Sequence, residues 1–254
     1  MRRLAPSLLA LTTLLAAGCA SRPTTVPIAT ERYPSSCPAA TRTLLVLLPG
    51  VYSDPKEFAQ EGFVDAVRER GLAVDVVGVD AHLGYYEKGI VIERLRNDVI
   101  APAQAQGYSA IWVLGISLGG FGGMLYAQER PGELAGLVAL APYLGERATS
   151  TEIDNAGGLA RWQAPVGSLD LTQKEPREQA LWRWLKGYSA TAQSAARPPL
   201  YLGYGLDDRF RFSHRLLAAT LPPERVFTTE GGHDWPQWRR LWRAVLPTLP
   251  LPAC

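Results

Sequence analysis

The chain has 254 residues, of which 47% are hydrophobic and 20% are charged. This composition is typical of a globular domain and excludes a disordered or low-complexity protein. The formal net charge is only +2, and the arginines are interspersed with acidic residues, so nothing in the sequence indicates a nucleic-acid partner. We therefore expect one globular domain with a substantial core.

Residues 1–18 are typical of an export signal. Arg2 and Arg3 precede an apolar run from Leu8 to Ala17, which is too short to span a bilayer as a stable helix. The run ends in "LLAAGCAS", and small residues directly before a cysteine resemble a bacterial lipobox. We expect Cys19 to be lipidated and to anchor an exported protein to a membrane of the cell envelope, facing the periplasm or the outside. The alternative is an ordinary signal peptide cut at a nearby small residue.

Residues 19–41 are rich in Pro, Ser and Thr, which predicts a tether between the lipid and the domain. Two further cysteines stand at Cys37 and at the final position, Cys254. In an oxidising compartment we expect them to form a disulfide that joins the end of the tether to the C-terminus, with two free thiols as the alternative. No Cys/His cluster has zinc-ligand spacing, so we predict no metal site.

From Thr43 onward, short apolar runs alternate with longer amphipathic stretches. This alternation predicts a mostly parallel sheet with helices on both faces, in one α/β domain over residues 42–254. The predicted strands are Thr43 to Pro49, Ala73 to Asp80, Ala110 to Ile116, Leu134 to Pro142, Leu200 to Gly205 and Arg225 to Gly231. The predicted helices cover about 56–70, 90–106, 118–130, 212–221 and 236–247.

The interval 143–197 contains no convincing strand. An insertion of this kind at the carboxyl edge of a sheet predicts a short helical cap over a site. Within it, "REQALWRWLKGYSA" predicts a helix that packs Leu181, Trp184, Leu185 and Tyr188 on the core by their spacing. Trp182 falls on the side of the charged residues, so it is predicted to be exposed, either facing a substrate or without a role.

Gly115, Ser117 and Gly119 form a Gly-x-Ser-x-Gly motif where a predicted strand ends and a predicted helix begins. A sharp strand-to-helix turn lifts a serine above the sheet, and glycine at the flanking positions avoids collisions with neighbouring backbone. No lysine follows these glycines, as a phosphate-binding loop would require. The setting predicts that Ser117 is a nucleophile.

A serine nucleophile needs a base, and the chain offers only His82, His214 and His233. His233 follows the last predicted strand in "EGGHDWPQW" and is the predicted base. His82 precedes Ser117 and is read as a wall of the cleft or a structural turn, and His214 as a surface residue of a helix. A carboxylate must orient the base, and "LDDRF" offers either Asp207 or Asp208 after the preceding strand.

The segments "GISLGG", "GYGLDDRF" and "GGHDWPQW" resemble the α/β-hydrolases, in particular the small esterases related to esterase D and the S-formylglutathione hydrolases. The resemblance implies the α/β-hydrolase fold and, through the pattern Gly-x-x-Asp from Gly205, selects Asp208 as the acid with Asp207 as the fallback. It also implies an oxyanion hole made of the backbone N–H groups of Leu118 and Val51, with Tyr52 as the alternative to Val51. Where the family usually has His-Gly before this loop, the chain has Pro49 and Gly50.

We therefore predict a serine hydrolase of the carboxylesterase type that needs no cofactor and acts through an acyl-enzyme on Ser117. The alternatives are a thioesterase, an amidase or an acyltransferase with the same triad, and a non-catalytic envelope lipoprotein on a hydrolase scaffold. Aromatic residues near the predicted site favour a small-molecule ester with a partly apolar group. The candidate substrate contacts are Tyr52, His82, Tyr85, Tyr86, Trp182 and Trp235.

Overall fold

The computed structural model describes residues 22–37, 41–163, 177–189 and 197–254. Seven strands form one sheet in the order β1-β3-β2-β4-β5-β6-β7, with every neighbouring pair parallel except the antiparallel pair of β1 and β3. The strands are β1 Thr30–Tyr33, β2 Thr43–Leu48, β3 Val74–Val79, β4 Ala110–Ile116, β5 Gly136–Leu140, β6 Leu200–Gly205 and β7 Val226–Thr229. All six predicted strands are confirmed.

Helices occupy both faces of the sheet. They are α1 Glu57–Gln60, α2 Phe63–Glu69, α3 Leu83–Glu87, α4 Val91–Arg94, α5 Ala101–Ala105, α6 Leu118–Glu129, α7 Arg147–Asn155, α8 Arg177–Lys186, α9 Arg211–Ala218 and α10 Trp235–Val245. A π-helical segment, Leu95–Ile100, joins α4 to α5, so the helix predicted at 90–106 is present as one continuous helical segment. Within the described ranges, no helix is long and apolar enough to cross a membrane.

The core lies in two layers, one on each face of the sheet. All six residues of β2 are buried, and they alternate between the layers: Leu44, Val46 and Leu48 join the layer under α4, α5, α6 and α8. Leu45 and Leu47 join the layer under α1, α2 and α10. A strand covered on both faces buries every side chain, which explains the continuous apolar runs of the sequence.

The predicted tether at 19–41 is wrong for the residues that form β1. Thr30 pairs with Val79 and Tyr33 with Val76, so this segment is the edge strand of the sheet. The disulfide between Cys37 and Cys254 is present, with a Cα–Cα distance of 5.4 Å. It joins the end of β1's segment to the C-terminus, whose backbone N–H at Cys254 donates to the carbonyl of Gly71. The predicted export signal and Cys19 lie outside the described residues.

The predicted cap interval contributes α7 and α8 to the described structure. The prediction for Trp182 is wrong: this side chain is fully buried, and its indole N–H donates to the Leu144 carbonyl at 2.8 Å. Leu181, Leu185 and Tyr188 are buried as predicted, whereas Trp184 is only half-buried. The helical spacing correctly predicted that Leu181 and Leu185 are buried, but it did not predict which of Trp182 and Trp184 packs inward. That choice depends on the Leu144 carbonyl, which accepts the Trp182 N–H and belongs to a segment distant in sequence.

Candidate active site

The strand order reverses between β2 and β4, since the chain passes from β2 outward to β3 and then back to β4 on the other side. In open α/β sheets, the crevice outside the carboxyl ends of two such strands is where ligands bind. Ser117 follows β4 directly, and the loop Gly50–Ser53 follows β2. The topology therefore places the serine motif and the predicted oxyanion loop on opposite sides of one crevice.

Ser117 occupies the strained turn that its motif predicts. Its backbone has φ +52° and ψ −112°, a combination that a residue with a side chain rarely adopts. A Cβ at position 115 would overlap the backbone of Gly119, and a Cβ at position 119 would overlap the Leu48 carbonyl. The turn is held by the Ser117 N–H, which donates to the Leu140 carbonyl at 2.9 Å. Glycine at both flanking positions is thus required by close backbone approach.

Three side chains from three different loops meet at this turn. The Ser117 Oγ lies 3.0 Å from His233 Nε2, and His233 Nδ1 lies 2.7 Å from Asp208 Oδ2. With a proton on Nδ1, the ring donates to Asp208 and offers its Nε2 lone pair to the serine hydroxyl. Asp208 is fully buried, and its Oδ1 accepts a hydrogen bond from the Phe210 N–H at 2.7 Å. The arrangement can remove a proton from Ser117.

The neighbouring candidate carboxylate lies elsewhere. Asp207 is exposed, and its backbone N–H donates to the Gly231 carbonyl at 2.9 Å. This contact ties the acid loop to the histidine loop, and a Cβ at Gly205 would overlap the Gly231 carbonyl. The two loops therefore fix one another, and this packing turns Asp208, and not Asp207, toward His233.

The predicted oxyanion loop approaches the serine closely. A Cβ at Gly50 would lie 3.7 Å from the Ser117 Cβ. Among the described residues, the N–H groups of Val51 and Leu118 have no hydrogen-bond acceptor. Tyr52 has 94% of its surface exposed, so its side chain projects into solvent beside the crevice. Both predicted donor groups are thus free to bind an anion.

Two aromatic rings that were not among the predicted site residues contact His233. Phe210 and Trp238 contact the imidazole edge-on, with ring centroids 5.2 and 5.3 Å away. Phe210 also contacts Tyr143 and lines a cleft of about 300 Å³. Phe210 ends the segment "GYGLDDRF" and Trp238 ends "GGHDWPQW". Their positions in the sequence do not predict that they contact the histidine. The other residues that line the cleft are Tyr143, Gly145, Glu146, Arg147, Arg209, Phe212 and Ser213.

The prediction that His214 is a surface residue is wrong. The side chain is fully buried, and its Nε2 lies 2.8 Å from the Pro142 carbonyl oxygen, to which it donates. Burial lowers the pKa of His214 to about 4, although the nearby Asp208 opposes the shift. The ring therefore stays neutral. The segment that carries Pro142 and the rings of Tyr204 and Phe210 surround His214, with ring centroids 5.2 and 6.4 Å from the imidazole. The preceding residue, Ser213, contacts α7 from the cap interval, with the hydroxyls of Ser150 and Ser213 2.7 Å apart.

Most of the predicted substrate contacts are structural. His82 is buried and caps α3, with Nδ1 accepting from the Gly84 N–H at 3.2 Å, which agrees with its alternative interpretation as a structural turn. Burial also lowers the pKa of His82. Tyr85 is buried with its hydroxyl bonded to the Thr25 backbone, and Trp235 packs edge-on against Phe58 and Phe63. His82, Tyr85 and Trp182 are thus buried and not available to a substrate, whereas Trp235 is only partly buried.

Tyr86 packs against α6, the helix that follows Ser117. Its hydroxyl is buried, has no partner in the described structure and lies where a Cβ of Gly122 would be. Burial raises the pKa of Tyr86.

In the ranges described, no three His, Cys, Asp or Glu side chains are grouped as metal ligands would be.

Solved structures resemble the chain in fold, although no family model and no curated protein sequence matches it. A hydrolase from Pseudomonas aeruginosa PA01 aligns with a TM-score of 0.54 and 20% identity over 92% of this chain and 99% of that one. An S-formylglutathione hydrolase from Staphylococcus aureus aligns with a TM-score of 0.52 and 16% identity over 82% and 80%.

Est1E from Butyrivibrio proteoclasticus aligns with a TM-score of 0.53 and 15% identity, over 86% of this chain and 93% of its own. At such identities the likeness concerns the fold alone. Together with the strand order and the helices on both faces, it shows that this chain has the α/β-hydrolase fold.

Proposed function

We propose that the protein is a serine hydrolase that cleaves carboxylic esters through an acyl-enzyme on Ser117. The observation that carries this proposal is the chain of contacts from the Ser117 Oγ through His233 to Asp208, at 3.0 and 2.7 Å. The strained serine turn adds support, because its backbone strain is explained if it presents one hydroxyl to the crevice.

The reaction follows from these contacts. The Ser117 oxygen forms a bond to the ester carbonyl carbon while its proton passes to His233 Nε2. The resulting imidazolium is stabilised by the buried Asp208 carboxylate, and it then gives its proton to the leaving alkoxide as the C–O bond breaks. Water repeats the sequence on the acyl-enzyme, with the same histidine as base, and releases the carboxylic acid and the free serine.

The free N–H groups of Val51 and Leu118 would hold the oxyanion of the tetrahedral intermediate. Val51 lies in the loop after β2, and Leu118 is the first residue of α6, directly after Ser117. Amide donors already in place cost no reorganisation when the charge develops.

The cleft is connected to the triad through Phe210, which contacts His233, and its aromatic rings would suit an apolar part of the acyl or alcohol group. Its charged residues, Glu146, Arg147 and Arg209, would suit a polar part. Several proteins with this fold are named as hydrolases or esterases, among them an S-formylglutathione hydrolase and a ferulic acid esterase, which agrees with this proposal.

The test is covalent labelling with a fluorophosphonate, which reacts with activated serines. Labelling of the wild type, its loss in Ser117→Ala, and hydrolysis of p-nitrophenyl acetate are expected. Asp208→Asn should lower turnover by about 10⁴-fold because the imidazole loses its orienting carboxylate. Asp207→Asn is the matched control, one residue away and exposed, and it should keep most of the turnover. A folded wild type that neither labels nor hydrolyses the ester would favour the non-catalytic alternative.

Other acyl transfers use the same triad and are separated by the products. A thioester or amide panel under matched conditions would identify a thioesterase or an amidase, and an added alcohol that competes with water for the acyl-enzyme would identify an acyltransferase.

We further propose that the protein is an exported lipoprotein acylated at Cys19, as its lipobox-like sequence suggests. The disulfide between Cys37 and Cys254 agrees with export, because such bonds persist in oxidising compartments. The intact mass of protein extracted from bacterial membranes should show a diacylglyceryl group on Cys19. A soluble product that begins at another residue would contradict this proposal.

A further inference from the structure

The described chain begins with a segment that is bound firmly to the domain. Residues 22–28, here called the strap, cross the start of α3 with backbone and side-chain contacts. The Arg22 guanidinium lies 2.8 Å from Asp80, and the Thr25 N–H donates to the Tyr85 hydroxyl at 2.9 Å. Lys88 donates to the Thr24 hydroxyl at 2.7 Å, and the Ile28 N–H donates to Asp98 at 2.8 Å. The strap is therefore part of the folded body and not a spacer.

The strap begins at the same edge of the sheet as the active site. Asp80 follows the carboxyl end of β3, and Arg22 also lies 3.8 Å from Asp54, in the loop region that follows β2. Ser117 follows β4, the other neighbour of β2. Because neighbouring strands are about 4.8 Å apart, the ends of β3 and β4 are about two strand spacings, or roughly 10 Å, apart along the edge, and Arg22 contacts Asp80 just beyond β3. A chain of this length has a radius of gyration of about 18 Å, so this is a close approach.

The large apolar side chains that are exposed are also at or near this edge. Within the described residues they are Val26, Tyr52 and Leu206, with 70%, 94% and 49% of their surfaces exposed. Tyr52 follows β2 and Leu206 follows β6, so both flank the crevice, and Val26 is in the strap. Amphipathic tyrosine and single aliphatic residues are side chains that suit a lipid-water interface.

The covalent distance from Cys19 to the strap is short. Two residues, Ala20 and Ser21, separate Cys19 from Arg22, and three trans peptide links span at most about 11 Å. A lipid on Cys19 would therefore hold Arg22 within about 11 Å of the lipid's attachment point, next to the carboxyl end of β3 that Arg22 contacts through Asp80. The opposite edge of the sheet lies about 20 Å away along the six-residue strands β2 and β3 and has no such link to the lipid.

We propose that the carboxyl edge of the sheet, including the opening above Ser117, faces the membrane that holds the Cys19 lipid. The partner of this surface is the headgroup region of a phospholipid bilayer. Its consequence for the substrate is a preference for amphiphilic esters presented at the membrane surface over freely soluble ones. The orientation rests on the acylation of Cys19, and the substrate preference also rests on the ester hydrolysis proposed above.

The charges at this edge have both signs. Lys88 and Arg209 are accompanied by Glu87, Asp207 and Glu230, all exposed. Electrostatic attraction to anionic lipids is therefore weak, and the short covalent link is the orienting element. We expect the orientation to be the same in vesicles with and without phosphatidylglycerol.

Depth-dependent quenching tests the orientation directly. Acylated protein carrying Tyr52→Cys is labelled with a nitrobenzoxadiazole maleimide and placed in phosphatidylethanolamine vesicles that contain brominated phosphatidylcholine. The matched control is Gln106→Cys, an exposed residue that precedes β4 at the opposite edge. Bromolipid should quench the label at position 52 severalfold more than the label at position 106. Equal quenching at the two positions, or stronger quenching at 106, would overturn the proposal.

A second variant tests whether the short link is the cause. A Gly/Ser spacer of about sixteen residues between Ser21 and Arg22 has a root-mean-square length of roughly 22 Å, which frees the domain to turn. Quenching at position 52 should then fall toward the level at 106. Undiminished quenching with the spacer in place would refute the orienting role of the link.

Activity gives a separate readout. The ratio of turnover on a long-chain fluorogenic ester in vesicles to turnover on p-nitrophenyl acetate should fall severalfold in the spacer variant, while the rate on p-nitrophenyl acetate stays unchanged. An unchanged ratio would contradict the substrate preference. If no form of the protein hydrolyses p-nitrophenyl acetate, the proposed function fails, whereas the quenching result still decides the orientation.

Discussion

The buried imidazole of His214 should make the protein less stable in mild acid, and the size of the loss depends on how far burial lowers the pKa of this ring. The ring is fully buried, and its pKa falls from 6.5 to about 4 through burial. The unfolded chain protonates this histidine near its ordinary pKa, so below that pH the unfolded state binds more protons than the folded state. The free energy of unfolding is therefore unaffected by His214 above the pKa of the unfolded chain, and it decreases as the pH falls from that pKa toward the lower pKa of the folded protein.

The magnitude follows from the two values. Between about pH 7.5 and about pH 5, protonation of the unfolded chain at this site lowers the free energy of unfolding by about 2 kcal/mol. Urea unfolding of the wild type and of His214→Gln at both pH values measures it. Glutamine keeps an N–H donor for the Pro142 carbonyl but does not titrate, so the variant should lose about 2 kcal/mol less than the wild type over this range. All other titratable groups are the same in the two proteins, so the difference isolates His214 together with its interactions with neighbouring charges.

Identical pH dependence in the two proteins would refute this reasoning, because it would mean that His214 can take up its proton in the folded state. A variant that is unstable at both pH values but has a flatter pH profile would still support it. The slope tests the burial of the ring, whereas the absolute stability also includes the fit of the new side chain.

Two further perturbations test the serine turn and the disulfide. Gly119→Ala should abolish fluorophosphonate labelling, because the new Cβ would overlap the Leu48 carbonyl. Gly232→Ala is the control and should retain labelling, because its new Cβ would have no atom within 4 Å. Equal labelling of the two variants would show that the turn tolerates a side chain. Replacing Cys37 and Cys254 by alanine should lower the free energy of unfolding by up to about 5 kcal/mol through the long loop that the bond closes. Urea unfolding measures this, and a midpoint that does not change would contradict it.

Much of the architecture could be predicted from local pattern. Continuous apolar runs identified the six parallel strands because strands buried on both faces carry no polar alternation. The glycines around Ser117 indicated a sharp turn, since only glycine permits such close backbone approach. The order of serine, carboxylate and histidine along the chain selected His233 among three histidines before any distance was known.

Contacts between distant segments could not be read in this way. The strap and β1 have the composition of a spacer, yet β1 adds to the free edge of β3 through backbone hydrogen bonds, which carry no sequence signature. Trp182 is buried with its N–H on the carbonyl of Leu144, and His214 is buried with its ring on the carbonyl of Pro142. Each depends on which surface folds over another.

The sequence by itself determined the residue types and their order: a serine between glycines after a strand, an acid and a histidine after later strands, and a lipobox-like cysteine. Only the tertiary structure decided between Asp208 and its fallback Asp207, which aromatic rings flank His233, and which edge of the sheet the strap contacts. The physical reason is that side-chain chemistry and backbone strain are local properties of a few residues. Orientation, burial and proximity are set by packing between segments that are far apart along the chain.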